Sequence, residues 1–209
     1  MFNRKMAIVQ AIQFLSKSDV AGDYYEFGVF QGKSLATAYN IHSDTEKFQR
    51  HFYGFDSFSG LPHLEKDDQL DGYEAFYQGQ YSCDEASVRA NLLANGVPED
   101  RFTLIKGFYS TSLIDPDLQM QLGDSQAALI HIDCDLYSSS ADCLAFIGDR
   151  IVDGSILMFD DWFCFRGRPD KGVRRAYYEW SERVNLTFTE YFKYSWAGIA
   201  FICHHSGSK

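Results

Sequence analysis

The sequence predicts an α/β fold, a mostly parallel seven-stranded sheet with helices on both faces and an antiparallel hairpin at the C-terminal end. Three observations carry this expectation. Short apolar runs alternate with helical stretches along the 209 residues, the pattern of a parallel sheet built from strand–helix–strand units. The last two apolar segments are only a few residues apart, too close for a crossover, so they pair antiparallel. The length suits one domain with a full core, and no repeat, low-complexity block or linker divides residues 1–209.

The elements follow in order. "MFNRKMAIVQAIQFL" is expected as a helix rather than a signal peptide, because Gln10 and Gln13 break its apolar run and it lacks a small-residue cleavage site. "DYYEFGVF" (23–30) is a strand, "KSLATAYNIH" (33–42) a helix and "FYGFD" (52–56) a strand. "DEASVRANLLANG" (84–96) is a helix with Asp84 as N-cap and Gly96 as C-cap. "RFTLIKG" (101–107), "AALIHID" (127–133) and "GSILMFD" (154–160) are buried-type strands, with a helix at 138–151 between the last two. A helix at 172–184 precedes the hairpin of 186–192 and 196–204. Seven strands with a late antiparallel one trace the outline of a Rossmann-like methyltransferase sheet. Ligands of such sheets bind beyond the carboxyl ends of the strands.

Composition narrows the function classes. The net charge of -10 excludes a general nucleic-acid footprint, which needs a basic face. No apolar run approaches the roughly 20 residues of a membrane span. The cysteines Cys83, Cys134, Cys143, Cys164 and Cys203 are odd in number and contain no CxxC pair. They fit reduced thiols in a cytoplasmic protein, not a disulfide framework or a zinc site. Residues 57–83 form a long connection rich in aromatics (Phe58, Tyr73, Phe76, Tyr77, Tyr81), which favours a lid over the cleft rather than a disordered insertion.

Two strand ends point to a cofactor. In "YYEFGVFQGKS", Gly28 and Gly32 permit a tight turn and close approach of a ligand to the backbone, and Lys33 and Ser34 open the helix. Glu26 beside the first glycine suits a positively charged ligand group, such as the amine of a methionine moiety. Asp56, ending the second strand, suits a pair of ribose hydroxyls. Taken in order, these residues favour S-adenosylmethionine over NAD.

The chemistry gathers at two other strand ends. "HIDCDLY" carries Asp133 and Asp135, and "LMFDDWF" carries Asp160 and Asp161. Strand alternation directs Asp133 and Asp135 to one side if the backbone stays extended. One βαβ unit separates the two motifs, so four carboxylates converge on one cleft mouth. Such a cluster needs protons or a cation, and an all-oxygen donor set favours Mg²⁺ or Mn²⁺. The competing reading makes Asp160 and Asp161 caps and pairs Asp135 with an arginine such as Arg174; it leaves Asp133 and Asp135 together unexplained. His131 is expected as a buried, hydrogen-bonded histidine rather than a ligand. Arg166, Arg168, Arg174 and Arg175 either meet substrate or form a solvated face.

"YEFGVFQGKS", "YGFDSFSGLP", "KGFYSTSL", "IHIDCDLYSS" and "GSILMFDDWF" together resemble the macrocin O-methyltransferase-like family, class I metal-dependent sugar O-methyltransferases of antibiotic biosynthesis and related pathways. The matches run in family order from about residue 20 to residue 165. The resemblance implies Asp133, Asp160 and Asp161 as metal ligands and Asp135 as general base. It implies cofactor contacts from Glu26, Gly28, Gly32, Ser34, Asp56, Ser57 and Asp133, with Gly107 and Phe108 near the adenine. The implied acceptor is a sugar, a glycoside or another vicinal diol, and a homodimer is compatible with it. Little precedes the first strand here, where family members often carry extra N-terminal helices that shape the acceptor pocket. Two alternatives are a metal-dependent glycosyltransferase, which would use "DCD" as a DxD motif, and a catechol or phenol O-methyltransferase. The glycosyltransferase leaves "EFGVFQG" and the second acidic pair without a role.

Overall fold

The computed structural model describes residues 2–43 and 49–207. Its elements are α1 (Arg4–Lys17), β1 (Asp23–Phe27), α2 (Lys33–Ser43), β2 (Phe52–Asp56), α3 (Glu85–Ala94), β3 (Phe102–Lys106), α4 (Tyr109–Ser112), α5 (Pro116–Leu122), β4 (Ala127–Ile132), α6 (Tyr137–Ile147), β5 (Ile151–Phe159), α7 (Gly172–Ser181), β6 (Leu186–Tyr194) and β7 (Gly198–His205). They build a seven-stranded sheet in the order β3-β2-β1-β4-β5-β7-β6. Strands β1 to β5 run parallel, while β7 pairs antiparallel with both β5 and β6. The hairpin therefore enters the sheet through its second strand, with β6 at the edge.

Successive strand side chains face opposite layers, and the core divides accordingly. Tyr25, Phe27, Phe55, Ile130, Ile132, Leu157 and Phe159 pack with α5, α6 and α7 on one face. Tyr24, Phe52, Leu104, Leu129, Ile156 and Met158 pack with α1, α2 and α3 on the other. Both faces are covered, which is why the central strands lack an apolar–polar alternation. No helix among the described residues is long and apolar enough to cross a membrane.

The element boundaries differ from the sequence expectation for local reasons. β1 ends at Phe27, because Gly28 takes a left-handed φ of 90° and turns the chain. β4 ends at Ile132 and α6 begins at Tyr137, so Asp133 and Asp135 lie on a turn, not on a continuing strand. β5 starts at Ile151, earlier than expected. α3 is capped by Asp84, whose carboxylate accepts the Ser87 N–H at 3.0 Å, but its C-cap is Asn95; Gly96 follows it with φ 83°. The short helices α4 and α5 were not expected, although Asp115 before Pro116 is a start signal for α5.

Gly28 fixes how the first turn meets the sheet. A Cβ placed there would lie 1.8 Å from the Asp133 carbonyl oxygen. Gly28→Ala is therefore expected to cost about 2 kcal/mol or more, from the left-handed φ and the backbone clash together. For a chain of this size that is a fall in Tm of about 4–8 °C. A variant melting within a degree of wild type would show that the two turns do not approach this closely.

Candidate functional site

A cleft of about 680 Å³ opens beyond the carboxyl ends of the parallel strands, within the size range of small-molecule sites. One half is built by the turns after β1, β2 and β3. Gly28, Ser34, Asp56, Ser57, Gly107 and Phe108 line it. The Asp56 carboxylate accepts the backbone N–H groups of Val29 (2.8 Å), Phe30 (2.9 Å) and Phe58 (2.8 Å), which ties the first turn to the second. Two carboxylate oxygens offer about four acceptor positions, so capacity remains for a hydroxyl donor. Phe108 is 43 % exposed and offers an uncovered aromatic ring.

Two of the expected contacts sit elsewhere. Glu26 is fully buried and accepts hydrogen bonds from Ser34 Oγ at 2.6 Å and from the Tyr24 hydroxyl, so Ser34 stands between it and the cleft. Gly32 is outside the lining; its Cβ position faces Leu92 and Val88 of α3.

The other half of the cleft is acidic. Asp133, Asp135, Asp160 and Asp161 all line it. Ile132 and Phe159 are register partners, and the Asp160 N–H donates to the Ile132 carbonyl at 3.1 Å, which sets Asp133 and Asp160 side by side. Asp135 reaches the cleft by a different route from strand alternation: its backbone is left-handed, φ 63°, so the turn redirects its side chain. The Asp161 carboxylate accepts the Asp135 N–H at 3.1 Å and so faces the Asp135 turn. Burial, reinforced by the neighbouring carboxylates, pushes the carboxyls of Asp133, Asp135 and Asp161 well above the usual range.

Asp160 behaves oppositely, because cations and donors surround it. His131 Nε2 lies 2.8 Å from its Oδ1, and the Tyr194 hydroxyl donates to the same oxygen. Burial opposes ionisation of Asp160, but these partners and Arg4 outweigh it and hold its carboxyl low. His131 is fully buried; its other nitrogen lies 3.2 Å from the Tyr24 hydroxyl, which donates to Glu26. Burial disfavours its charge, yet Asp160 and Glu26 raise its pKa to about 10. A continuous polar chain thus runs behind the cleft wall from Ser34 through Glu26, Tyr24 and His131 to Asp160. It fixes the ring of the histidine expected to be buried and hydrogen-bonded.

A guanidinium from α1 also enters the acidic half. Arg4 pairs with Asp133 Oδ2 at 2.9 Å and with Asp160. Ligand atoms of Asp133, Asp160 and His131 lie within 4.8 Å of one another. His131 spends its Nε2 on Asp160, so it serves as a partner of a candidate ligand. The oxygen donors, their mutual repulsion and the guanidinium already standing among them fit a hard divalent cation held by Asp133 and Asp160; Asp161, the third expected ligand, follows Asp160 on the turn after β5 and lies outside that group.

The connection 57–83 forms the outer wall. Its ends are clasped, Leu61 N–H to Gln80 carbonyl and Gly79 N–H to Leu61 carbonyl, both 2.9 Å. Leu61, His63, Tyr73, Phe76 and Tyr81 line the cleft. Asp68 accepts both the N–H (2.9 Å) and Oγ (2.8 Å) of Ser138, closing the start of α6. The four arginines do not line the cleft. Arg166 donates to the Gly72 carbonyl at 2.6 Å and Arg175 pairs with Asp67 at 2.9 Å, so both bolt the connection to the α7 side. Arg168 pairs with Asp170, and Arg174 lies over the ring of Trp162 rather than against Asp135. Arg4, Tyr24, Tyr194 and Ser138 were missed in the sequence. Only the polar Tyr24–Glu26 alternation within an apolar strand offered a signal.

Known proteins resemble the chain in sequence and in fold. The family model of the macrocin O-methyltransferases (TylF) matches residues 2–200. A Streptomyces olivaceus protein, 8-demethyl-8-(2,3-dimethoxy-alpha-L-rhamnosyl)-tetracenomycin-C 4'-O-methyltransferase, is 28 % identical over 149 residues, 68 % of this chain and 54 % of its own. The match thus spans about half the length of that relative. Among solved structures, the calicheamicin methyltransferase CalS11 superposes with a TM-score of 0.76 at 22 % identity, covering 95 % of this chain and 77 % of that one. The O-methyltransferase NovP gives 0.72 at 20 %, covering 95 % and 78 %. At these identities the two structures show the fold alone.

The raised carboxyls make a pH test possible. A carboxyl with a raised folded pKa contributes stability that is present below its ordinary value of 3.8 and lost as pH rises through the folded value. Asp161→Asn removes one such charge and can still accept the Asp135 N–H. Without metal, its Tm is expected about 2–4 °C above wild type at about pH 8, roughly 1 kcal/mol, with the gain vanishing at about pH 4. Thermal melts in chelator across that range check it. An equal offset at both ends would mean that charge repulsion is not the cause.

Proposed function

The chain belongs to the macrocin O-methyltransferase family, and from that premise we propose that it transfers the methyl group of S-adenosylmethionine to a hydroxyl of a sugar or other vicinal-diol small molecule. One observation carries this reading: a single cavity joins a nucleoside-compatible half, Asp56 and Phe108, to a four-carboxylate half containing Asp135. The sugar acceptor rests on the printed activity of the tetracenomycin relative, which methylates a rhamnosyl group.

Each residue then has a task. Asp56 accepts from the ribose hydroxyls, Phe108 stacks on the adenine, and Ser57 and Gly107 border the same space. Ser34, backed by buried Glu26, meets the amino-acid end near Gly28 and Asp133. Asp133, Asp160 and Asp161 would hold Mg²⁺ or Mn²⁺, which when bound lowers the pKa of an acceptor hydroxyl. Asp135 takes the hydroxyl proton on its carboxylate. The oxygen's electron pair forms the new C–O bond as the methyl–sulfur bond breaks, releasing S-adenosylhomocysteine. Residues 57–83 act as a lid on an otherwise continuous domain, excluding water and presenting Tyr81 to the acidic half.

Three outcomes are expected. S-Adenosylmethionine or S-adenosylhomocysteine raises the Tm, and NAD does not; stabilisation by UDP-glucose alone would instead favour a glycosyltransferase. Asp135→Asn keeps its affinity for S-adenosylhomocysteine and Mg²⁺ but loses about 10²-fold or more in turnover on a panel of sugar diols and catechols. A loss of metal affinity in that variant would move Asp135 among the ligands. Limited proteolysis within 57–83 slows when cofactor and acceptor are both bound; equal cleavage in both states would remove the lid from the mechanism.

A further inference from the structure

We propose that Arg4 is a built-in competitor for the divalent-cation position, setting the ion affinity of the site by occupying it when the ion is away. The proposal rests on the metal-site reading above.

Arg4 is the first residue of α1. The N-terminal end of a helix disfavours a cation, and no acidic residue stands in the first turn of α1 to offset it. Helix stability therefore does not account for an arginine here. Its guanidinium instead spans the two carboxylates that adjoin across β4 and β5, reaching Asp133 Oδ2 at 2.9 Å and Asp160 Oδ2. His131 and Tyr194 already occupy Asp160 Oδ1, so the Asp160 oxygen left to an ion is the Oδ2 that Arg4 pairs with, and ion and guanidinium would compete there.

The backbone beneath Arg4 is held firmly. The Phe2 carbonyl accepts the Ser195 N–H at 2.6 Å, the Phe2 ring meets Phe192 edge-on at 5.3 Å, and Asn3 caps the helix through the Met6 N–H at 3.0 Å. Ala7, Ile8, Ala11, Ile12 and Leu15 bury the inner face of α1. The side chain is 45 % exposed, so it has solvent to move into while α1 stays docked. The exchange is thus a swing of one side chain.

If the guanidinium holds the site in nine molecules of ten, the apparent affinity for the ion is about tenfold weaker than the intrinsic one. The test titrates Mn²⁺ into wild type, Arg4→Gln and Arg4→Lys, following the free ion by electron paramagnetic resonance, with Mg²⁺ as competitor. Melts in chelator and in saturating Mg²⁺ accompany it. Arg4→Gln is expected to bind Mn²⁺ about tenfold more tightly than wild type. It should melt lower than wild type in chelator and close to wild type in Mg²⁺. Arg4→Lys, which keeps a competing charge, should stay near the wild-type affinity. Binding that is unchanged or weaker in Arg4→Gln would overturn the proposal while leaving the metal site standing. Absence of Mn²⁺ binding in all three proteins would remove the metal site, and the proposal with it.

Discussion

Like charges that share a small volume must be given a counter-charge, and the architecture around the cleft follows from that constraint. Parallel pairing of β4 and β5 brings Asp133 beside Asp160, and the turns that follow add Asp135 and Asp161. The structure balances one side of the cluster with its own groups. Arg4, His131 and Tyr194 converge on Asp160, and Arg4 also serves Asp133. Asp135 and Asp161 lean on each other through a backbone N–H, and among the described residues no lysine or arginine pairs with either. That uneven balance leaves carboxyl groups able to take up protons next to oxygens able to hold a cation.

The two halves of the cleft are mechanically joined. Ser34 is on the helix that follows the first turn, and its hydroxyl donates to Glu26. From Glu26 the buried chain of Tyr24 and His131 reaches Asp160. A buried polar group without partners is expensive, so these groups fix one another's positions. The turn after β1 and the acidic turn therefore share one buried support. The outer wall is strapped down separately, by Arg166 and Arg175 on contacts that solvent can reach and by the buried Asp68.

Much of this was legible in the sequence, and the residues show why. Gly28, Asp56, Asp133, Asp135, Asp160 and Asp161 sit at strand ends inside short motifs, where the fold class alone dictates their convergence. Glu26 was legible as important, but its burial behind Ser34 depends on side-chain packing that local pattern does not encode. Asp135 was placed correctly in the cleft by an incorrect route, since the chain leaves the strand before it and turns left-handed. Arg4 was invisible because its partners are more than a hundred residues away and only the docking of α1 unites them. α4 and α5 are too short, at 4 and 7 residues, for a helical period to register. The arginines after the second acidic pair stayed open between substrate contact and solvated face, because sequence proximity cannot tell a cleft wall from the bolts behind it.

The central claim is that the acidic turn is a cation site working beside a nucleoside site in one cleft. Anomalous diffraction from crystals grown with Mn²⁺ and S-adenosylhomocysteine tests it most directly. The expected map has one strong peak between the carboxylates of Asp133 and Asp160, with Arg4 swung away, the ribose on Asp56 and the adenine against Phe108. A map with Arg4 still bridging Asp133 and Asp160, and no peak at the acidic turn despite bound S-adenosylhomocysteine, would contradict it.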